Sequence, residues 1–118
     1  MKNARDIFIQ ILTVIGSNQR TERAVDDFCT WVEVQVMTEL FASLPVDKQE
    51  QAIDQFMTLA PHKKERVFYP YFSVEFMKER VQKATKAAIL QQIVEPHRQR
   101  LSPSQHERIL ALLEKLTY

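Results

Sequence analysis

The three histidines and the single cysteine are the side chains best suited to metal binding or nucleophilic catalysis. His62, His97 and His106 form no H-E-x-x-H pair and no Glu-x-x-His pair of the kind found in di-iron bundles. Cys29 falls at the apolar spacing of a predicted helix, where a buried cysteine behaves as a small hydrophobe. We therefore expect no metal, no cofactor and no enzymatic activity. A small enzyme with a site assembled from distant residues is the third-ranked alternative.

Glycine is almost absent. Average composition would give about eight glycines in a chain of this length, but Gly16 is the only one among 118 residues. Nucleotide-binding G-x-G-x-x-G loops, P-loops and G-x-S-x-G nucleophile elbows are therefore excluded. Multi-stranded sheets, which use glycine in tight turns, are disfavoured.

Positive charge gathers in the second half of the chain. Residues 1–59 hold five Lys/Arg against nine Asp/Glu, and residues 60–118 hold eleven against six. Clustered cations with interleaved aromatics suit nucleic-acid binding, but the sequence pI of about 7.9 is low for such a protein. Nucleic-acid binding is therefore the second hypothesis. Its candidate residues are Lys63, Lys64, Arg66, Lys78, Arg80, Lys83, Arg98 and Arg100.

Apolar side chains outside the main helical stripes suit contact with a protein. Some lie on the second predicted helix, and others form the run V-F-Y-P-Y-F at 67–72, which would otherwise plug the core as a rigid corner. The leading hypothesis is a non-enzymatic interaction module (an adaptor, accessory subunit or chaperone-like protein) that binds a protein partner or forms a homodimer. The candidate partner-binding residues are Trp31, Val34, Met37, Phe68, Tyr69, Tyr71 and Phe72.

Helices must position all of these residues. Apolar spacing predicts helices over 4–15, 20–43, 45–59, 73–95 and 103–117, with a short helix over 62–69. Residues 31–37 also alternate in the manner of a strand, but no turn residues flank them, so we predict a helix there. Pro96 ends or kinks the fourth long helix and leaves residues 97–101 as its continuation.

Capping residues mark several helix ends. Asn3 is a plausible N-cap, Gly16 a C-terminal stop, and Ser102 with Gln105 a capping box. Asp47 with Glu50 predicts a second box. A faint repeat relates residues 44–59 to 101–116, which would make two similar helical hairpins.

Together these patterns predict one all-α domain covering residues 1–118, a bundle of about five to six helices. The start of the sequence does not resemble a secretory signal, and no uncharged run is long enough to span a membrane. One cysteine fits a reducing compartment. We therefore expect a cytoplasmic location and no membrane partner.

Overall fold

The computed structural model describes residues 3–17 and 22–116. Within these two ranges the chain is helical and forms no strand, which confirms the predicted all-α class. Residues 31–37 are helical throughout. The five α-helices are α1 (Ala4–Ile15), α2 (Glu22–Ser43), α3 (Val46–Thr58), α4 (Val74–Ala88) and α5 (Pro103–Glu114).

Shorter helical segments complete the backbone. A 3₁₀ helix, Pro61–Phe68, joins α3 to the turn before α4. A π-helical turn, Ile89–Val94, and a 3₁₀ segment, Glu95–Arg100, continue α4 without a break in right-handed geometry. The helix changes to π geometry at Ile89 and to 3₁₀ geometry at Glu95, in the turns on either side of Pro96, because proline has no N–H to donate and its ring crowds the preceding turn. The predicted continuation after Pro96 is therefore confirmed.

Two predicted helix ends are confirmed. Gly16 adopts the left-handed conformation with φ of 81°, and its N–H donates to the carbonyl oxygens of Leu12 and Thr13. At the start of α5, the Gln105 N–H donates to Ser102 Oγ at 3.1 Å. The Ser102 N–H donates to Gln105 Oε1 at 2.8 Å, which completes the capping box.

The predicted Asp47–Glu50 box is wrong, whereas Asn3 lies at the N-cap position of α1 as predicted but does not cap the helix through its side chain. Pro45, not Asp47, precedes α3, so Asp47 lies inside the first turn, where its charge faces the positive end of the helix dipole. The Asn3 side chain makes no capping bond to α1. Its amide instead donates to the Lys115 carbonyl at 2.6 Å and ties α1 to the end of α5.

The molecule is elongated. It measures 50 × 23 × 22 Å, and its radius of gyration is 16.3 Å, against about 13.5 Å for a compact domain of this length. Its accessible surface is 8016 Å², where about 6,700 Å² is typical for this mass. In a molecule this thin, each helix packs against few neighbouring helices, so apolar side chains remain exposed.

Three buried clusters lie along the rod. The largest joins α1, the start of α2, the π-helical turn and α5, and it is centred on Ile11, Val25, Ile89 and Ile109, which are fully buried. There Phe8 of α1 stacks on Phe28 of α2 with ring centroids 4.4 Å apart.

The other two clusters lie close together, because Phe41 and Phe72 pack against both. One contains Val36, Leu40 and Phe68. The other contains Leu44, Ala52 and Val67.

The two copies of the proposed repeat begin at equivalent positions but pack differently. α3 lies against α2 and the 3₁₀ helix, whereas α5 lies mainly against α1. Ile53 and Leu110, which occupy equivalent positions in the two copies, are both exposed. The repeat itself stays a prediction. In the part of the chain that the structure describes, no helix has the length and apolar character needed to cross a membrane.

Candidate functional site

An open groove of about 440 Å³ lies between α2, the 3₁₀ helix and α4, with one side chain of α3 at its edge. Its elements meet because Phe68, at the end of the 3₁₀ helix, packs into the cluster formed with α2. The walls are mainly apolar, and two of the lining residues are methionines, whose flexible side chains adapt to irregular partners. The apolar lining consists of Met37, Leu40, Phe56, Pro61, Phe68, Tyr69, Val74, Met77 and Val81.

Charged side chains of both signs border this groove. The Lys64 ammonium donates to the Phe56 carbonyl at 2.7 Å and lies 4.4 Å from the centroid of the Phe56 ring. The Tyr69 hydroxyl donates to Glu65 Oε1 at 3.2 Å. Desolvation and the nearby Glu65 carboxylate raise the pKa of the Tyr69 phenol. Lys64 and Tyr69 are thus fixed at the rim, and Glu33 adds an acidic group on the α2 side.

Three of the seven predicted partner-binding residues meet at the groove. Met37 lines it from α2, and Tyr69 forms part of its rim with its ring exposed. Phe68 is only 1% exposed, so it supports the floor and is not part of an accessible surface. Its burial follows from its contacts with Phe41 and Phe72, whose ring centroids lie 4.8 and 6.4 Å away.

Trp31 and Val34 lie on the outer face of α2, away from its buried side. Their side chains are 43% and 47% exposed. With Met37 they occupy positions i, i+3 and i+6, so one apolar stripe winds around α2 and ends in the groove. We call Trp31, Val34 and Met37 the α2 stripe.

Tyr71 and Phe72 lie in the turn between the 3₁₀ helix and α4. Tyr71 is exposed, while Phe72 is half-buried against two of the clusters and stacks on Phe76 at 5.5 Å between ring centroids. For Phe68 and Phe72 the structure therefore supports the rigid-corner interpretation, in which the aromatic run fills the core. For Tyr69 and Tyr71 it leaves large surfaces accessible.

The predicted basic residues do not form one patch. Lys78 lines the groove. Arg80 and Lys83 lie on another side of α4, paired with Glu39 and Glu79 respectively.

The remaining basic residues are spread further. Arg98 Nη1 is 3.4 Å from Glu95 Oε1 in the last 3₁₀ segment, and Arg100 is exposed at the end of that segment. Lys64 is bound at the groove rim, while Lys63 and Arg66 are exposed on the 3₁₀ helix. A phosphate backbone would meet separate cations interleaved with carboxylates.

The chemically reactive side chains are dispersed as well. Cys29 is half-buried, and both burial and the nearby Glu33 carboxylate raise the pKa of its thiol. A raised pKa keeps the thiol protonated near neutral pH and makes it a weak nucleophile. The His97 Nδ1–H donates to the Ile93 carbonyl at 2.8 Å. Among the described residues, no three His, Cys, Asp or Glu side chains are grouped so as to hold a metal ion.

Several groove residues were not among the predicted site residues. Val74, Met77 and Val81 share one stripe of α4, and Phe56 belongs to the inner face of α3. Spacing of this kind marks an apolar face but does not tell whether another helix covers it.

Comparisons with protein-family models, with curated proteins and with solved structures found no match to this chain.

Proposed function

We propose that this chain is a non-enzymatic protein-interaction module. It holds an apolar segment of a partner protein in the groove and against the α2 stripe. The observation that carries the proposal is the continuity of these two surfaces. Trp31 and Val34 are exposed, and Met37 leads from them into a groove with Tyr69 on its rim.

The chemistry of the surface supports a protein ligand. Exposed aromatic and half-buried methionine side chains give large contact areas, and tryptophan and tyrosine often dominate the binding energy of protein interfaces. The groove is open, and its rim carries both charges. A helical or extended peptide segment with apolar anchors and a mixed polar edge fits it well.

Adaptors, accessory subunits and chaperone-like proteins all use such surfaces, and the proposal covers this class. A second copy of the chain is one partner within it, and we propose the cytoplasm as the compartment. The dispersed and paired basic residues give the nucleic-acid hypothesis no geometric support.

The test is affinity capture from the native cell with three forms of the chain. These are the unmodified chain, the double variant Val34→Ser with Tyr69→Ser, and the control variant Leu110→Ser. Leu110 is 42% exposed on α5, so the control removes a similar apolar surface elsewhere. Quantitative mass spectrometry should show a partner that the unmodified chain and the control retain and the double variant loses.

Light scattering during size exclusion gives the corresponding test for self-association. A dimer that the double variant dissociates and Leu110→Ser preserves would identify a second copy as the partner. A monomer whose captured proteins are the same for all three forms would refute the proposal.

A further inference from the structure

We propose that the outer face of α3 docks a basic amphipathic helix of a partner protein. This surface adjoins the groove only at Phe56 and Lys64, and its occupant is additional to the partner segment proposed above. The apolar surface of α3 is wider than the part that the rest of the described chain covers.

The inner face of α3 is packed. Ala52 is buried, and Phe56 and Leu59 contact the same cluster from the side. Phe56 also meets Phe41 of α2 edge-on, with ring centroids 5.3 Å apart. These contacts bury one face of α3 and fix its orientation on α2.

A second apolar row on α3 has no cover among the described residues. Val46, Ile53 and Met57 are 86%, 45% and 72% exposed. They are spaced at i, i+7 and i+11, which places them on one line along about 16 Å of the helix. This is the arrangement by which one helix packs lengthwise against another.

One edge of that row is acidic. Asp47, Glu50 and Asp54 follow the row at i, i+3 and i+7, and all three are exposed. Among the described residues, none of the three forms an ion pair. Favourable interaction with the helix dipole accounts for a carboxylate in the first turn, such as Asp47, but not for Asp54 in the middle of α3.

The opposite edge has a different character. It consists of Gln49 and Phe56, with the Lys64 ammonium held over the Phe56 ring. Gln49 is itself engaged, since its side-chain amide donates to the Leu44 carbonyl at 3.0 Å. The surface is therefore an apolar row with carboxylates along one side only.

These charges select the occupant. A helix with apolar residues at i, i+3 or i+4 and i+7, and with Lys or Arg along one edge, would cover the row and face the three carboxylates. An antiparallel two-fold pairing of α3 with a second copy would instead bring the acidic edge against itself, and like charges at that spacing repel. Anionic partners are opposed for the same reason.

The test uses synthetic helical peptides of about 18 residues, long enough to form a helix. One peptide carries a leucine row with a lysine/arginine edge, and a second has the same row with a glutamate edge. Fluorescence anisotropy with the full chain should show binding of the basic peptide, weakening as salt is added, and at least tenfold weaker binding of the acidic one.

Variants locate the binding surface. Met57→Ser, and separately Glu50→Gln with Asp54→Asn, should each lower the affinity for the basic peptide about tenfold, which corresponds to about 1.4 kcal/mol. The double variant should also flatten the salt dependence. Gln55→Ala, an exposed position on the side of α3 opposite the row, should change nothing, and circular dichroism checks that each variant is folded.

Tyr69→Ser distinguishes binding on the outer face of α3 from binding in the groove. This variant alters the rim of the groove and should leave binding of the basic peptide unchanged. Equal affinity for both peptides, binding of neither, or loss of binding in Tyr69→Ser would overturn the proposal. A dimer of the chain that Met57→Ser dissociates would also overturn it, since a second copy would then cover the row.

Discussion

Replacement of Phe68 by alanine should destabilise the protein strongly, because this side chain links the 3₁₀ helix to α2. Phe68 is 1% exposed, packs with Val36 and Leu40, and has the Phe41 ring 4.8 Å away. Removal of a buried phenylalanine costs about 3–5 kcal/mol. The open groove beside Phe68 lets neighbouring side chains or water enter the space, so we expect the lower end, about 3 kcal/mol.

That loss is large against the 5–15 kcal/mol of unfolding free energy that is typical of a domain. With an m-value of about 1.5 kcal/mol per molar urea, the unfolding midpoint should fall by about 2 M. Urea titration followed by circular dichroism at the helical band measures it, and the m-value should stay constant. Phe68→Leu keeps most of the volume and should cost less than about 1.5 kcal/mol.

Phe76→Ala is the matched aromatic control. Phe76 stacks on Phe72 but is 43% exposed, so its removal should cost about 1 kcal/mol or less. If Phe68→Ala were no more destabilising than Phe76→Ala, the packing of the 3₁₀ helix against α2 described above would be incorrect.

Three further changes test other parts of the fold. Gly16→Ala should lower the free energy of unfolding by about 1–2 kcal/mol in thermal or urea unfolding. Because φ is 81° there and no atom lies within 4 Å of an added Cβ, the cost is backbone strain alone. Gly16→Asn should recover part of the lost stability, and equal stability of all three forms would contradict the strain at this position. Ser102→Ala should cost about 1 kcal/mol, and Gln105→Ala should cost more, because its side-chain amide also donates to the Val14 carbonyl at 3.1 Å. The reverse order would argue against the bond to Val14, and no loss of stability in Ser102→Ala would argue against the capping box. Cys29 should react slowly with iodoacetamide, because its raised thiol pKa leaves less thiolate at a given pH. The reaction rate should rise with pH through a midpoint above that of free cysteine. A midpoint below that of the urea-unfolded chain would indicate an activated thiol instead.

The elongated shape connects these predictions to the proposed binding surfaces. The chain has enough apolar residues for a compact bundle, but it distributes them over three clusters along a 50 Å rod. Helices near the α3 end are packed from few directions. Val46, Met57 and Val74 are therefore exposed although each belongs to an apolar helix face.

Local sequence signals predicted the helices well. Gly16 stops α1 because only glycine enters the left-handed region without cost. Ser102 and Gln105 start α5 because their side chains satisfy backbone groups within one turn. Such signals depend on neighbours in the chain and are readable without the fold. The Asp47 box failed because the residues before α3 place Pro45 at the cap position.

The sequence by itself determined an all-helical chain, the absence of glycine-loop chemistry, and most helix ends, because these depend on residues a few positions apart. The tertiary structure decided which apolar faces are covered. Ile53 and Phe56 have equally apolar side chains three positions apart, yet α2 and the 3₁₀ helix reach Phe56 and leave Ile53 exposed. Burial depends on where distant helices lie, and helical spacing carries no information about that, so the groove and the acidic-edged row on α3 emerged only from the fold.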